Sequence, residues 1–305
     1  MIDAESVLIV ALDAEGWRTV AAVKGAAREV PAGALLPSAG VPASSGWVVA
    51  QDRLTRGWAV LGPLSAEHVP WLRRIAATRT PSSMDEADWR EHVAFHADWL
   101  EHPDPFVAEV AYGEIARAPY AAMRTLARKL DARRVERWLD DPALVRRTPL
   151  YTLLLGIVGG PRAAERIDAR ARAAAASRDA DNLGAVLAAD LELRGPSRLD
   201  WVERTWLSGT GRSLPELQAA LQALSVQGGA DVAVPRARVV GAYRGFVRSG
   251  HALAGHPALD LLSWRAWDAV PDYVALLRAM RRAILAPMTA STGAQAMHEM
   301  RSAPR

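Results

Sequence analysis

His92 and His96 stand four residues apart, the spacing at which one helix face offers two imidazoles to a divalent cation. The order Glu91-His92-Val93-Ala94-Phe95-His96 differs from the metalloprotease order His-Glu-x-x-His, because no Glu lies between the two histidines. Asp85 and Asp88 share that face, but neither is marked as a third ligand. A metal-dependent enzyme built on His92 and His96 is one reading. The plainer account, two polar-face histidines on a surface helix, is favoured, and neither a metal nor another cofactor is expected. Glu101-His102-Pro103-Asp104-Pro105 also looks like a site, yet capping explains it. A helix must stop before Pro103, and Asp104 caps the next one with Pro105 at its first position. His102 then falls in the last turn of the preceding helix, where the dipole favours it.

A third constellation is basic. Arg124, Arg128, Arg133, Arg134 and Arg137 lie close together in sequence and end beside Trp138. Arginines next to an aromatic ring are the chemistry of a groove for DNA or for an acidic peptide. These six residues form the candidate partner-binding set, although core packing is the plainer role for Trp138. A nucleic-acid reading requires Arg146 and Arg147 to converge with the five arginines on one concave face. Tyr120, after Pro119 at a helix corner, has either a backbone carbonyl or a partner to bond. Trp264 and Trp267 are three apart, which places both on one helix face, usually core.

Enzyme signatures are missing from the sequence: there is no phosphate loop after a strand, no dinucleotide fingerprint and no Gly-x-Ser-x-Gly elbow. Cysteine is absent from all 305 residues, which excludes disulfides, thiolate metal sites and a cysteine nucleophile. Half the residues are apolar and 23% are charged, values of a globular chain. The net charge is only +3, but residues 120–180 carry 13 basic against 7 acidic residues. Interleaved arginines and acids on helix faces form i,i+4 pairs in the plain account of that stretch. No run of 18 apolar residues spans a bilayer. Met1-Ile2-Asp3-Ala4-Glu5 is acidic where a secretory leader is basic. The expected compartment is the cytoplasm as the chain stands, or outside it if a leader has been removed.

The elements that position these residues change type near residue 64. Before it, the short Val-rich runs Val7–Leu12, Trp17–Val23, Trp47–Ala50 and Trp58–Leu61 alternate with Gly, Pro and Ser turns. A further strand is expected near 34–36. That is the pattern of short antiparallel strands, closed into a barrel or left as an open sheet whose apolar face the neighbouring helices cover. After residue 64 the period becomes 3.6, with helices expected near 65–78, 84–101, 104–117, 120–130, 132–139, 144–158, 161–177, 181–194, 197–208, 213–227, 235–249, 257–269 and 271–285. Proline opens several of them, and Gly159-Gly160, Gly195, Gly211 and Gly228-Gly229 each mark an end. Ser213-Leu214-Pro215-Glu216 reads as a capping box. First helices of successive pairs begin near 104, 146, 181, 213 and 257, within the period range of stacked helix-pair repeats. His102-Pro103 and His256-Pro257 open similar stretches.

Several of these motifs also resemble, in order, a group of bacterial HEAT-repeat-like proteins of uncharacterised function. They are Glu101-His102-Pro103-Asp104-Pro105, Ala111-Tyr112, Ala116-Arg117-Ala118-Pro119-Tyr120, Leu126-Ala127-Arg128-Lys129-Leu130-Asp131, Trp138-Leu139-Asp140-Asp141-Pro142 and Leu150-Tyr151-Thr152-Leu153-Leu154-Leu155-Gly156. Val20-Ala21-Ala22-Val23-Lys24-Gly25 and Gly57–Pro63 resemble the small β domain that precedes the repeats in that group. The resemblance covers most of residues 5–285. It implies a right-handed α-solenoid behind a small β module, and it supplies no catalytic residues. Many members begin with an export signal, which the first residues here do not match.

The expectation is therefore a mainly α chain with a small β module. Residues 1–64 form a small antiparallel β domain and 286–305 a mobile tail. Residues 65–285 form an array of roughly five HEAT-like helix pairs preceded by two connecting helices. The expected function is a non-catalytic interaction scaffold that binds a protein or peptide through the array. A nucleic-acid-binding or DNA-repair protein using segment 120–180 is the alternative.

Overall fold

The computed structural model describes residues 4–13, 16–25, 30, 46–78, 81, 86–208 and 211–283. The strand expected near 34–36, the tail expected at 286–305 and Asp85 lie outside the described residues, as does the side chain of Asp88. The chain divides into two compact units, residues 1–129 and 130–305.

In the first unit, β1 (Ser6–Asp13), β2 (Gly16–Lys24), β3 (Gly46–Gln51) and β4 (Trp58–Leu64) form an antiparallel sheet of order β2-β1-β3-β4. Among the described residues β2 and β4 are its edges, so the sheet is open. Central β1 pairs on both sides, with Ile9 opposite Ala21 and Val48. Both of its faces are covered. Val7, Ile9, Val48, Ala50 and Leu64 pack on Trp71, Leu72, Ile75, Phe106 and Val107. Leu8, Val10 and Val49 form a second cluster with Val30, flanked by Trp17, Trp47 and Trp58. A strand buried on both faces needs no polar alternation, which is why Val7–Leu12 reads as one apolar run.

The helices of this unit are α1 (Val69–Ala77), α2 (Glu86–Ala97), α3 (Pro105–Ala116) and α4 (Tyr120–Met123), the last continued by a 3-10 turn over Arg124–Arg128. Tyr120 is buried.

The second unit contains α5 (Ala132–Asp140), α6 (Thr148–Val158), α7 (Pro161–Ser177), α8 (Leu183–Arg194), α9 (Pro196–Val202), α10 (Leu214–Ala230), α11 (Arg236–Arg248), α12 (Ala258–Ser263) and α13 (270–283). A π turn over Glu203–Leu207 extends α9. The pair starts expected near 146, 181, 213 and 257 fall within two residues of the observed ones. Helix α8 packs against α6 on one side and α10 on another, with α7 also against it. Gly156 permits the first approach, since a Cβ there would lie 2.8 Å from the Cα of Ala189. Polar links join the helices. Gln227 donates to the carbonyl of Ala188 at 2.8 Å, and the Tyr243 hydroxyl donates to the carbonyl of Leu221 at 3.0 Å.

Two expectations about this unit are corrected. Gly228-Gly229 does not end a helix, because α10 runs to Ala230 and is closed by Asp231 in the left-handed region. Gly228 is there because Trp264 lies against it where a Cβ would be. Trp264 and Trp267 do not share a helix face either. Helix α12 stops at Ser263, and Arg265 at φ +56° turns the chain between them. Trp264 stacks parallel to Tyr243 at 5.9 Å, whereas Trp267 is exposed.

Candidate functional site

The basic set is divided by the fold. Arg124 and Arg128 lie on the 3-10 turn of the first unit, and Arg133, Arg134, Arg137 and Trp138 lie on α5 of the second. Arg133 and Arg137 are exposed. Arg134 lies over the Trp138 ring at 4.9 Å, and that ring packs 5.0 Å from Tyr151 on α6. Trp138 thus braces α5 against α6. The acids of this region pair both ways: Asp168 meets Arg172 at i,i+4 and 2.9 Å, as expected, while Glu136 pairs with Arg162 at 3.4 Å and Asp140 with Arg166 at 2.6 Å between helices. Deeper in the unit, buried Asp190 holds Arg194 at 3.1 Å and Arg198 closer still, while Arg198 also reaches Asp168 at 2.9 Å. Burial pushes the Asp190 carboxyl above its usual range, and the two arginines oppose that.

The first unit contains a cavity of about 1030 Å³, walled by Ile9, Ala21 and Leu64 and edged by His68, His102 and Asp104. Asp104 caps α3 as expected, accepting from the amides of Phe106 at 3.0 Å and Val107 at 3.3 Å. It also accepts from the amide of Ser65 at 3.3 Å, which joins the end of β4 to the start of α3. Burial raises its carboxyl, but these amides and the Ser65 hydroxyl outweigh burial and hold it below the usual range. His68 Nδ1 lies 3.2 Å from Asp104 Oδ2, off the line of a hydrogen bond. His102 is not in a last helical turn, because α2 ends at Ala97 and Glu101 turns at φ +53°. Its Nδ1 accepts from the amide of Asp104 at 3.1 Å, so the neutral ring carries its proton on Nε2. Ser65 is spent on Asp104 rather than aimed at His68. This is a structural joint with no nucleophile–base alignment.

His92 and His96 sit on α2 as one face, but that face is turned inward. They are 6% and 1% exposed, so the surface-helix account is overturned. Glu114 comes from α3, 7% exposed, with Oε2 2.9 Å from His92 Nε2. The imidazole centroids of His92 and His96 are 4.7 Å apart. One ligand atom from each of the three residues lies within 4.8 Å of the others, the one such cluster among the described residues. His96 Nδ1 is buried with no hydrogen-bond partner. Burial, then the nearby His92, pushes the His96 imidazole down to about 4, so it is neutral at pH 7. Burial alone would raise Glu114. The hydrogen bond from His92 and the charge of Arg117, 2.6 Å away, outweigh it and keep the carboxylate ionised. Glu114 is missed by spacing arguments because it lies 18 residues beyond His96. The available signal is a Glu set between Ala111 and Ile115 on the buried side of α3, whose other acid, Glu109, is exposed.

The second unit exposes a different kind of surface. Trp267 on the 3-10 turn before α13 is exposed, as are Val270, Val274, Leu277 and Met280 on α13 and Leu259 and Leu262 on α12. The spacing of 270, 274 and 277 places those three side chains on one face of α13. Arg265, Arg278, Arg281 and Arg282 are exposed beside them. No helix among the described residues is long and apolar enough to cross a membrane.

No protein-family model matches the chain, no curated protein matches its sequence, and no solved structure matches its fold. The class stands on its own elements: a mainly helical chain with a small four-stranded antiparallel sheet.

Proposed function

We propose that the chain is a non-catalytic interaction scaffold, an α-solenoid of HEAT-like helix pairs that takes a protein partner on its α12–α13 surface. The observation that carries this reading is the set of seven exposed large apolar side chains at residues 259–280, with Leu277 62% and Trp267 59% exposed. Scattered exposed leucines are ordinary, but a helical stripe of them beside arginines matches an amphipathic, acidic protein face. The stacking of α8 between α6 and α10 supports the solenoid, as does the resemblance of residues 101–156 to HEAT-repeat-like proteins.

A photo-crosslinking residue at position 277, with the same residue at exposed position 172 as reference, tests the reading in native lysate. The expected result is a distinct heterologous adduct from 277 alone, lost when Leu262→Asp is added. Adducts confined to the chain's own mass, or identical from both positions, would overturn it.

A second reading has one observation in its favour. Arg133 and Arg137 are exposed, while Glu136 and Asp140 are paired to arginines of α7. That leaves an anion-facing stripe on α5 for nucleic acid. Binding of a short DNA duplex at about 50 mM salt that collapses at about 200 mM, and weakens in Arg133→Ala/Arg137→Ala, would favour it. No binding at the lower salt removes it.

A further inference from the structure

We propose that His92, His96 and Glu114 are the ligands of a divalent transition-metal ion of the zinc class, which joins α2 to α3 inside the first unit. Two imidazoles and one carboxylate are a donor set that zinc takes, and zinc needs three or four such donors. The fold brings them together from two helices, with one ligand atom of each within 4.8 Å of the others. Around a tetrahedral zinc with bonds of about 2.0–2.2 Å, donor atoms stand roughly 3.3 Å apart. The His92–Glu114 pair, at 2.9 Å, must open slightly, and His96 must close in.

The second observation is His96 itself. It is 1% exposed, and its Nδ1 has no hydrogen-bond partner. A buried polar atom left unpaired is costly, and a bond to a metal ion would remove that cost. Trp89, 5.3 Å from His92, and Phe95, 5.0 Å from His96, hold the two rings in orientation. Arg117 bears on the site in two ways. Its contact with Glu114 Oε2 fixes the carboxylate, as partners of ligating carboxylates do, and its charge opposes a cation. The third ligand, left open by the sequence, comes from α3.

The full-length protein, stripped with chelator and dialysed, is titrated with Co²⁺ and then with Zn²⁺. The expected result is one equivalent of Co²⁺ with the visible bands of a four-coordinate ion, displaced by Zn²⁺, and a dissociation constant of about 1 µM or tighter for Zn²⁺. Zn²⁺ raises the thermal midpoint as well. Glu114→Gln and His96→Gln each weaken binding by more than about 100-fold, beyond the loss typical of an outer-shell partner. His256→Ala leaves it unchanged. A wild-type protein that is folded by near-ultraviolet circular dichroism and binds no Co²⁺ overturns the proposal. Binding unaltered in Glu114→Gln also overturns it. If both variants fail to fold, the wild-type cobalt spectrum decides alone: four-coordinate bands at one equivalent support the site, and bands of a six-coordinate ion overturn it.

Discussion

Gly228 and Gly229 are neighbours in the last turn of α10, and replacing each with alanine has opposite expected signs. A Cβ on Gly229 meets no heavy atom within 4 Å. Alanine there adds helix propensity and restricts the unfolded chain, stabilising by about 0.5–1 kcal/mol. A Cβ on Gly228 meets the far edge of Trp264, with Cζ3 at 2.9 Å, Cζ2 at 3.0 Å and Cη2 nearer still. The indole has little room to retreat. It stacks on Tyr243 at 5.9 Å, and the Tyr243 hydroxyl is tied to the carbonyl of Leu221 and, at 2.9 Å, to Asp260. The helix end is anchored too, since Arg236 donates to the carbonyls of Gly228 at 2.7 Å and Gly229 at 3.1 Å. Overpacking of this kind costs about 1–3 kcal/mol, more than the propensity gain, so Gly228→Ala destabilises by about 0.5–2 kcal/mol. Both variants change the same unfolded segment, so denatured-state effects largely cancel between them. Urea denaturation followed by circular dichroism reads the result: the midpoint falls for Gly228→Ala and rises for Gly229→Ala at constant slope. If the two variants are equally stable, Trp264 is not packed on α10 and the reasoning fails.

Other substitutions test the polar interior. Asp190→Ala strands Arg194 and Arg198 beside a buried site and costs about 3–5 kcal/mol by the same urea assay; a loss under about 1 kcal/mol shows the cluster is solvated. Glu216 accepts from Arg212 at 2.7 Å and from the amide of Ser213 at 2.8 Å. Although burial would raise its carboxyl, these bonds hold it down at about 2, against 4.5 for a free one. A depressed carboxyl gives stability that is complete above its unfolded value and is lost as pH falls from about 4.5 toward 2. Glu216→Gln therefore removes about 1–3 kcal/mol at pH 7, and the gap between variant and wild type narrows steadily below pH 4.5. A gap that is constant across that range refutes the linkage. Asp104→Ala uncaps α3 and frees Ser65, costing about 1–2 kcal/mol, and hydrogen exchange should rise first at Phe106 and Val107.

Much of the fold is written locally. Asp104 before Pro105 and the Ser213–Glu216 box cap helices where the sequence places them, because caps are satisfied by residues within three positions. Pro161 and Pro196 open α7 and α9, and Gly195 at φ +67° ends α8. Local rules misread Gly228-Gly229 and Trp264-Trp267 because distant partners decide them. The glycine answers to an indole 36 residues away, and the indole to Tyr243 on another helix. The interleaved charges are read only in part, since Asp168 does pair with Arg172 at i,i+4. Glu136 and Asp140 instead meet arginines 26 residues away across α5 and α7. Spacing shows which pairs are geometrically allowed, while packing selects among them.

The His92–His96 pair is the sharpest instance. A period of four puts both residues on one face but does not say whether that face points to water or to core. The sequence of α2 offers one hint, since Trp89, Val93 and Ala97 recur every four residues and are buried, with the two histidines next to that stripe. Burial is decided by α3, whose Ala111 and Ile115 are fully buried and carry Glu114 inward with them. A carboxylate in such a helix is retained only with partners, and it has two cations or donors at hand in His92 and Arg117. Three polar groups in one dry place are costly unless each is paired. Glu114 and His92 satisfy one another, which leaves His96 Nδ1 as the polar atom without a hydrogen-bond partner. The identity of its missing partner is thus the question on which the chemistry of the first unit turns, and the metal ion proposed above would use all three residues at once.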